Sequence, residues 1–249
     1  MKRVLLFALA GLLLVGSAYP QPSELALHLY GCGSLPNGDF AKNLGEDARL
    51  TRRAGFDIGE KVGLAQAGFG IGGELISPVW FRGLNWVFST KLLINSADAG
   101  TPQSEFRSQL GDSVDLSFKM GQWINVPVMT GFRYDQHFTH KYTLYGMLQA
   151  GINFSKAPSR QATRGTLIVE DTRFGFARDF GFETGFGLLF DQTYSIGIRY
   201  LQLSSPRFEG TRNLSEKQFP KIFNRKNAIL GEERSISMFV LTLGIQLFR

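Results

Sequence analysis

Few residues in this chain have types and spacings that could do chemistry. Three histidines, His28, His137 and His140, and a single cysteine, Cys32, are available. "HFTH" sets His137 and His140 three residues apart, a spacing at which two imidazoles on a helical turn share a metal. Its surroundings read as a tight turn, and no third ligand follows at a matching distance. Asp179 and Glu183 come closest to a general acid and base, but in an extended segment they lie about 13 Å apart at roughly 3.3 Å per residue, too far for a glycosidase pair. No recognisable nucleophile motif stands beside His28, so lipid-deacylating or proteolytic chemistry finds no constellation. The lone cysteine excludes an intramolecular disulfide framework and a cysteine-based zinc site, and Cys32 reads as a small packed side chain. The residues point away from an enzyme and imply no metal or cofactor.

Charge on alternating residues is the stronger signal. In "FGFARDFGFETGFGLLF", residues 174 to 190, phenylalanines occupy Phe174, Phe176, Phe180, Phe182, Phe186 and Phe190, always on even numbers, while the odd-numbered positions from 175 to 187 hold glycine, alanine, Asp179 and Glu183. A period of two means an extended strand with opposite faces. Strands of soluble proteins usually run about 5 to 6 residues, whereas a strand crossing a membrane in a closed barrel needs roughly 9 to 11. The same alternation recurs in segments around 25–30, 67–75, 84–95, 114–133, 144–154, 194–200 and 239–247. Eight strands close an antiparallel barrel with hydrocarbon outside and polar groups within. The expected fold is therefore all-β, an eight-stranded up-and-down transmembrane barrel.

Such a barrel is just wide enough to be filled by side chains. Its inward positions would hold four cations, Lys91, Lys119, Arg133 and Arg199, and four anions, Glu74, Asp115, Asp179 and Glu183. Equal numbers predict a paired lumen network, because an unpaired buried charge is costly. Pro127 predicts a bulge in its strand, with the Trp123 indole helping to fill the tube. Connections near 80–83, 134–141 and 191–193 are short, and those near 34–65, 97–113, 155–172 and 205–233 are long, the asymmetry of short periplasmic turns and long extracellular loops. Trp80, Phe81, Trp86, Tyr134, Tyr142 and Tyr194 would form an interfacial girdle at the turn end. A lipocalin-like soluble barrel would invert these faces.

Residues 1–18 read as a signal peptide. Lys2 and Arg3 precede an apolar run, Val4 to Val15, and Gly16-Ser17-Ala18 forms a small-x-small cleavage site, leaving residues 19–249 as one barrel domain. Sec-type export to a bacterial outer membrane follows, and with it a disfavoured nucleic-acid partner despite the net charge of +6. In the longest loop Arg207, Arg212, Lys217, Lys221, Arg225 and Lys226, with Phe208, Phe219 and Phe223, form a candidate surface for lipopolysaccharide phosphates or another envelope protein.

"LALHLYGCGSLPNGDF", "WINVPVMTGFRY", "YTLYGMLQAGINF", "FETGFGLLF" and "YSIGIRYLQL" together resemble the small outer-membrane β-barrel domain common in Bacteroidota, including PorT-like and OmpA-like barrels, from about Glu24 to Phe248. The resemblance implies a structural or interaction role in the envelope, or a subunit of a secretion apparatus. A narrow pore or small-ligand carrier is the remaining reading. In such proteins the chain commonly finishes on an aromatic residue, whereas Arg249 follows Phe248 here.

Overall fold

The computed structural model describes residues 25–41, 63–79, 81–100, 116–214 and 228–247. Eight antiparallel strands close a barrel: β1 (Ala26–Pro36), β2 (Ala65–Pro78), β3 (Leu84–Ala97), β5 (Gln122–His137), β6 (Tyr142–Lys156), β9 (Phe176–Phe190), β10 (Tyr194–Gln202) and β13 (Ser237–Leu247). Their order around the wall, β1-β13-β10-β9-β6-β5-β3-β2, is up-and-down, with β1 meeting β13 to complete the ring. The faces are as the alternation requires. Leu29, Ile71, Phe88, Leu148, Phe186 and Leu243 are exposed, and the residues between them point inward and are largely buried.

Tight connections join β2 to β3, β5 to β6 and β9 to β10, all at one end. Asp191 and Gln192 both have positive φ, as a turn of two left-handed residues demands. At the opposite end the connections fold into more sheet. β4 (Leu116–Met120), β7 (Arg160–Arg164), β8 (Leu167–Phe174), β11 (Arg207–Leu214) and β12 (Ala228–Glu233) form a five-stranded antiparallel sheet in the order β12-β11-β8-β7-β4.

This second sheet corrects two expectations, and the barrel ladder a third. The segment around 114–133 is two strands, with the change of sheet at Gly121, whose N–H is donated to the Ser159 carbonyl at 2.8 Å. The phenylalanine run is likewise divided at Gly175, whose N–H goes to the Glu209 carbonyl at 2.9 Å, so Phe174 ends β8 and is buried. Alternation continues through both breaks, so the two-residue period carries no trace of where the chain leaves the barrel. Pro127 makes no bulge. Its pairing with β6 is continuous, and the β3 ladder resumes beyond it in the same register, from Thr90↔Val128 to Leu93↔Asn125, with the rungs beside the missing N–H left out.

An apolar plug seals the barrel beneath the second sheet. Trp123 stands at its centre, edge-on to Phe40 at 5.2 Å and to Phe208 at 5.6 Å, and its indole N–H reaches the Gly63 carbonyl at 2.9 Å. Phe174, Leu203, Ile236 and Met238 complete the cluster. Above it, Glu232 accepts from Arg160 at 2.8 Å and from Arg234 at 2.5 Å.

Burial alone would raise the Glu232 carboxyl, but Arg160 and Arg234 outweigh it and hold the group below the usual carboxylate range. A depressed folded value means that this contribution is complete above the unfolded pKa of about 4.3 and is lost as pH falls through the folded value. Hydrogen exchange of the β11–β12 amides, corrected for intrinsic rates, should therefore show protection falling with acid below about pH 4. Glu232→Gln should lower protection at pH 6 and flatten that dependence.

Candidate functional site

The polar lumen is built from inward positions of neighbouring strands. At the turn end a small apolar layer of Ala26, Ile76 and Val87 comes first. One step further in, register brings His28 of β1 beside Glu74 of β2, and Glu74 beside Ser89 of β3. Arg199 reaches across from β10. Its Nη1 donates to Glu74 Oε1, to Glu183 Oε1 of β9 at 3.2 Å and to the Tyr30 hydroxyl at 3.3 Å, and its guanidinium lies 4.4 Å from the Tyr30 ring centroid. Lys91 Nζ of β3 donates to the second Glu183 oxygen. All four charged side chains are withdrawn from solvent.

Of the eight residues expected inside, the structure thus brings Glu74, Lys91, Glu183 and Arg199 into one network. Arg133 is also buried but has a separate partner, Asp135 Oδ1 at 2.7 Å, and stacks over the Tyr145 ring at 4.1 Å. Lys119 is not in the lumen. It belongs to β4 of the second sheet and is exposed. Asp179 keeps the inward parity but is only half-buried, and accepts from the N–H groups of Phe180 at 2.7 Å and Ser205 at 3.2 Å. Asp115 lies outside the described residues.

His28 acquires two partners that no sequence spacing announced. Its Nδ1 is 3.0 Å from Glu74 Oε2 and its Nε2 is 2.6 Å from Ser195 Oγ. With Nδ1–H donating to the carboxylate, Nε2 accepts the Ser195 hydroxyl proton. That is the connectivity of a serine–histidine–acid relay, assembled from strands β10, β1 and β2. Parity was the only available signal, since His28 and Ser195 both fall on inward positions while lying 167 residues apart. The surroundings bind the relay into the network, because Arg199 holds the other Glu74 oxygen and Ser195 is only 6% exposed.

Glycine makes this crossing possible. A Cβ on Gly244 would lie 2.6 Å from His28 Nε2, and one on Gly187 would lie 2.4 Å from the Tyr145 hydroxyl. Large side chains of one strand therefore fill the space over glycines of the strand paired with it. Further along the tube, Ser89 donates to Gln149 at 2.6 Å, Asn95 to Ser34 at 2.9 Å and Ser155 to Asn125 at 2.7 Å, and the apolar plug follows.

The remaining candidates lie elsewhere. His137 closes β5 against the Thr143 hydroxyl at 2.6 Å, and His140 is exposed in the turn. Among the described residues no three His, Cys, Asp or Glu side chains converge as a metal site. Arg207 is exposed, but Arg212 turns inward to Glu170 at 2.9 Å, and Phe208 is fully buried in the plug and not offered to a ligand. Lys217, Lys221, Arg225, Lys226, Phe219 and Phe223 lie outside the described residues, as do residues 1–18, Trp80, Phe248 and Arg249.

No family model matches the sequence, and no curated protein matches it. Several solved outer-membrane barrels are similar in structure. The attachment invasion locus protein Ail of Yersinia pestis shares 10% identity, with 91% of this chain and 100% of that one covered, at a TM-score of 0.42. OprG of Pseudomonas aeruginosa shares 8% identity over 90% and 96% at 0.47, and a major outer membrane protein of Thermus thermophilus 10% over 89% and 99% at 0.46. At these values the likeness concerns the barrel and says nothing of a shared task.

The buried network and the relay can each be tested. Lys91→Met and Glu183→Gln each break a buried pair and should cost about 3–5 kcal/mol, while the double variant should cost clearly less than their sum, measured from urea unfolding midpoints in lipid vesicles; additive losses would show that the pair is not coupled. A fluorophosphonate probe should leave Ser195 of the folded barrel unlabelled, and adduct on Ser195 by peptide mass spectrometry would show instead that the relay is open to substrate.

Proposed function

We propose that the chain is a non-catalytic, non-conducting β-barrel of the bacterial outer membrane, with a structural or surface-interaction role in the envelope. The observation that carries this reading is the combination of an outward face rich in exposed Phe, Leu and Ile with a lumen closed by ion pairs at one level and by Trp123 at another. Hydrocarbon outside and paired charge inside suit lipid around the wall and leave no reason for the reverse arrangement in water. The turn end then faces the periplasm and the second sheet the exterior. On this reading lipopolysaccharide, and envelope partners such as a PorT-like secretion apparatus, are met by the loop end, where Arg207 is exposed. A pore or carrier role would need open lumen space at the level of Arg199, which Tyr30, Glu74 and Glu183 occupy.

The test combines membrane fractionation, gel migration of unheated against boiled protein, and planar-bilayer recording. The expected outcome is outer-membrane recovery, a heat-dependent shift and no steady conductance. Recovery as a soluble periplasmic protein would overturn the location, and steady conductance abolished by Glu183→Gln would overturn the closed lumen.

A further inference from the structure

The outward face of the eight barrel strands is almost free of charge. Strand by strand, its described residues include only two charged ones, Lys156 on β6 and Arg178 on β9. Both are exposed and both belong to the outward parity, Lys156 following Ile152 and Phe154, and Arg178 lying between Phe176 and Phe180. The strands are neighbours. Register pairs Lys156 with Phe176 and Arg178 with Phe154, so the two cations are diagonal neighbours, about 7–8 Å apart at the backbone.

Their depth is informative. Arg178 stands twelve residues along β9 from Phe190, which meets Tyr142 and Tyr194 at the turn end. At roughly 3.3 Å per residue and a strand tilt of about 40° this is a height of about 30 Å, just beyond the ~25 Å apolar band of a membrane barrel. Both cations therefore reach the headgroup layer of the outer leaflet. Lys156 Nζ already lies over the Phe176 ring at 5.6 Å, and no ion pair among the described residues engages either residue. Two adjacent like charges at the edge of hydrocarbon repel each other unless an anion joins them. Phe176 and Phe180, 66% and 57% exposed, flank the position with apolar surface for the acyl chains of the same molecule.

We propose that Lys156 and Arg178 form a binding site for a phosphate of the outer-leaflet glycolipid, the guanidinium clamping two phosphate oxygens and the ammonium a third. This deepens the envelope reading above and rests on it. It differs from the loop surface in lying on the wall of the barrel, at fixed height, on two rigid strands.

The test uses the full chain folded in detergent and presented with phosphatidylcholine vesicles containing bis-phosphorylated lipid A, dephosphorylated lipid A or phosphatidylglycerol, with retained lipid counted by native mass spectrometry. Wild type should retain the bis-phosphorylated lipid about tenfold or more over the other two. The double variant Lys156→Gln, Arg178→Gln should fall to the level of dephosphorylated lipid, and Lys156→Arg, Arg178→Lys should keep the preference. Equal retention of all three lipids by wild type, equal retention of phosphatidylglycerol, or an undiminished preference in the Gln variant would each overturn the site. Heat-dependent gel migration, read on every variant, separates loss of the site from loss of the barrel.

Discussion

One guanidinium group ties the wall together. Arg199 extends from β10 to Glu74 on β2 and Glu183 on β9, and Glu183 in turn holds Lys91 of β3. None of these charges reaches solvent, and each alone would be costly to bury, so they are tolerable only when paired with one another. Replacing such a set by well-packed hydrocarbon is often neutral or stabilising, so its main effect here is on geometry and not on net stability. Strands distant in sequence are obliged to meet at one register, since a one-residue slip of β10 would send Arg199 to the outer face and bring Ile198 or Tyr200 inward.

The lumen glycines make sense only across the strand ladder. On β9 the inward positions Gly181, Gly185 and Gly187 looked like missing side chains, but Gly187 lies under the Tyr145 hydroxyl and Gly185 under the Arg199 stem. The absence of a side chain on one strand is the room occupied by the large one directly across the ladder, Tyr145 against Gly187 and Arg199 against Gly185. At the loop end, where the filling turns apolar, Trp123, Phe40 and Phe208 interdigitate edge to face.

The barrel itself was legible because period-two alternation is local. It assigned the outward face and put Glu74, Lys91, Glu183 and Arg199 on the inner one without any knowledge of pairing. What it could not supply was partnership. Nothing within β1 says that His28 meets Ser195, and nothing in charge counting separates Arg133, satisfied by Asp135 two residues away, from the Arg199 network. Lys119 failed for another reason: strand periodicity is indifferent to which sheet a strand joins. At Gly121 and Gly175 a single backbone hydrogen bond to the neighbouring segment redirects the chain, and residues beyond it keep their alternation while losing the lumen.

That redirection gives the two ends different physical characters. At the turn end the connections are short, and the surface is the barrel rim with its aromatic residues. At the other end, among the described residues, connections are lengthened into strands that pair with one another, so their backbone amides are satisfied by a second sheet. Its strands are anchored to the barrel through the same Trp123 cluster that seals the lumen, because Phe174 from β8 and Phe208 from β11 pack into it. Closing the tube and fixing the outer sheet are thus one packing event, and a ligand that met the outer sheet would act on a platform held by the barrel core and not on independent loops.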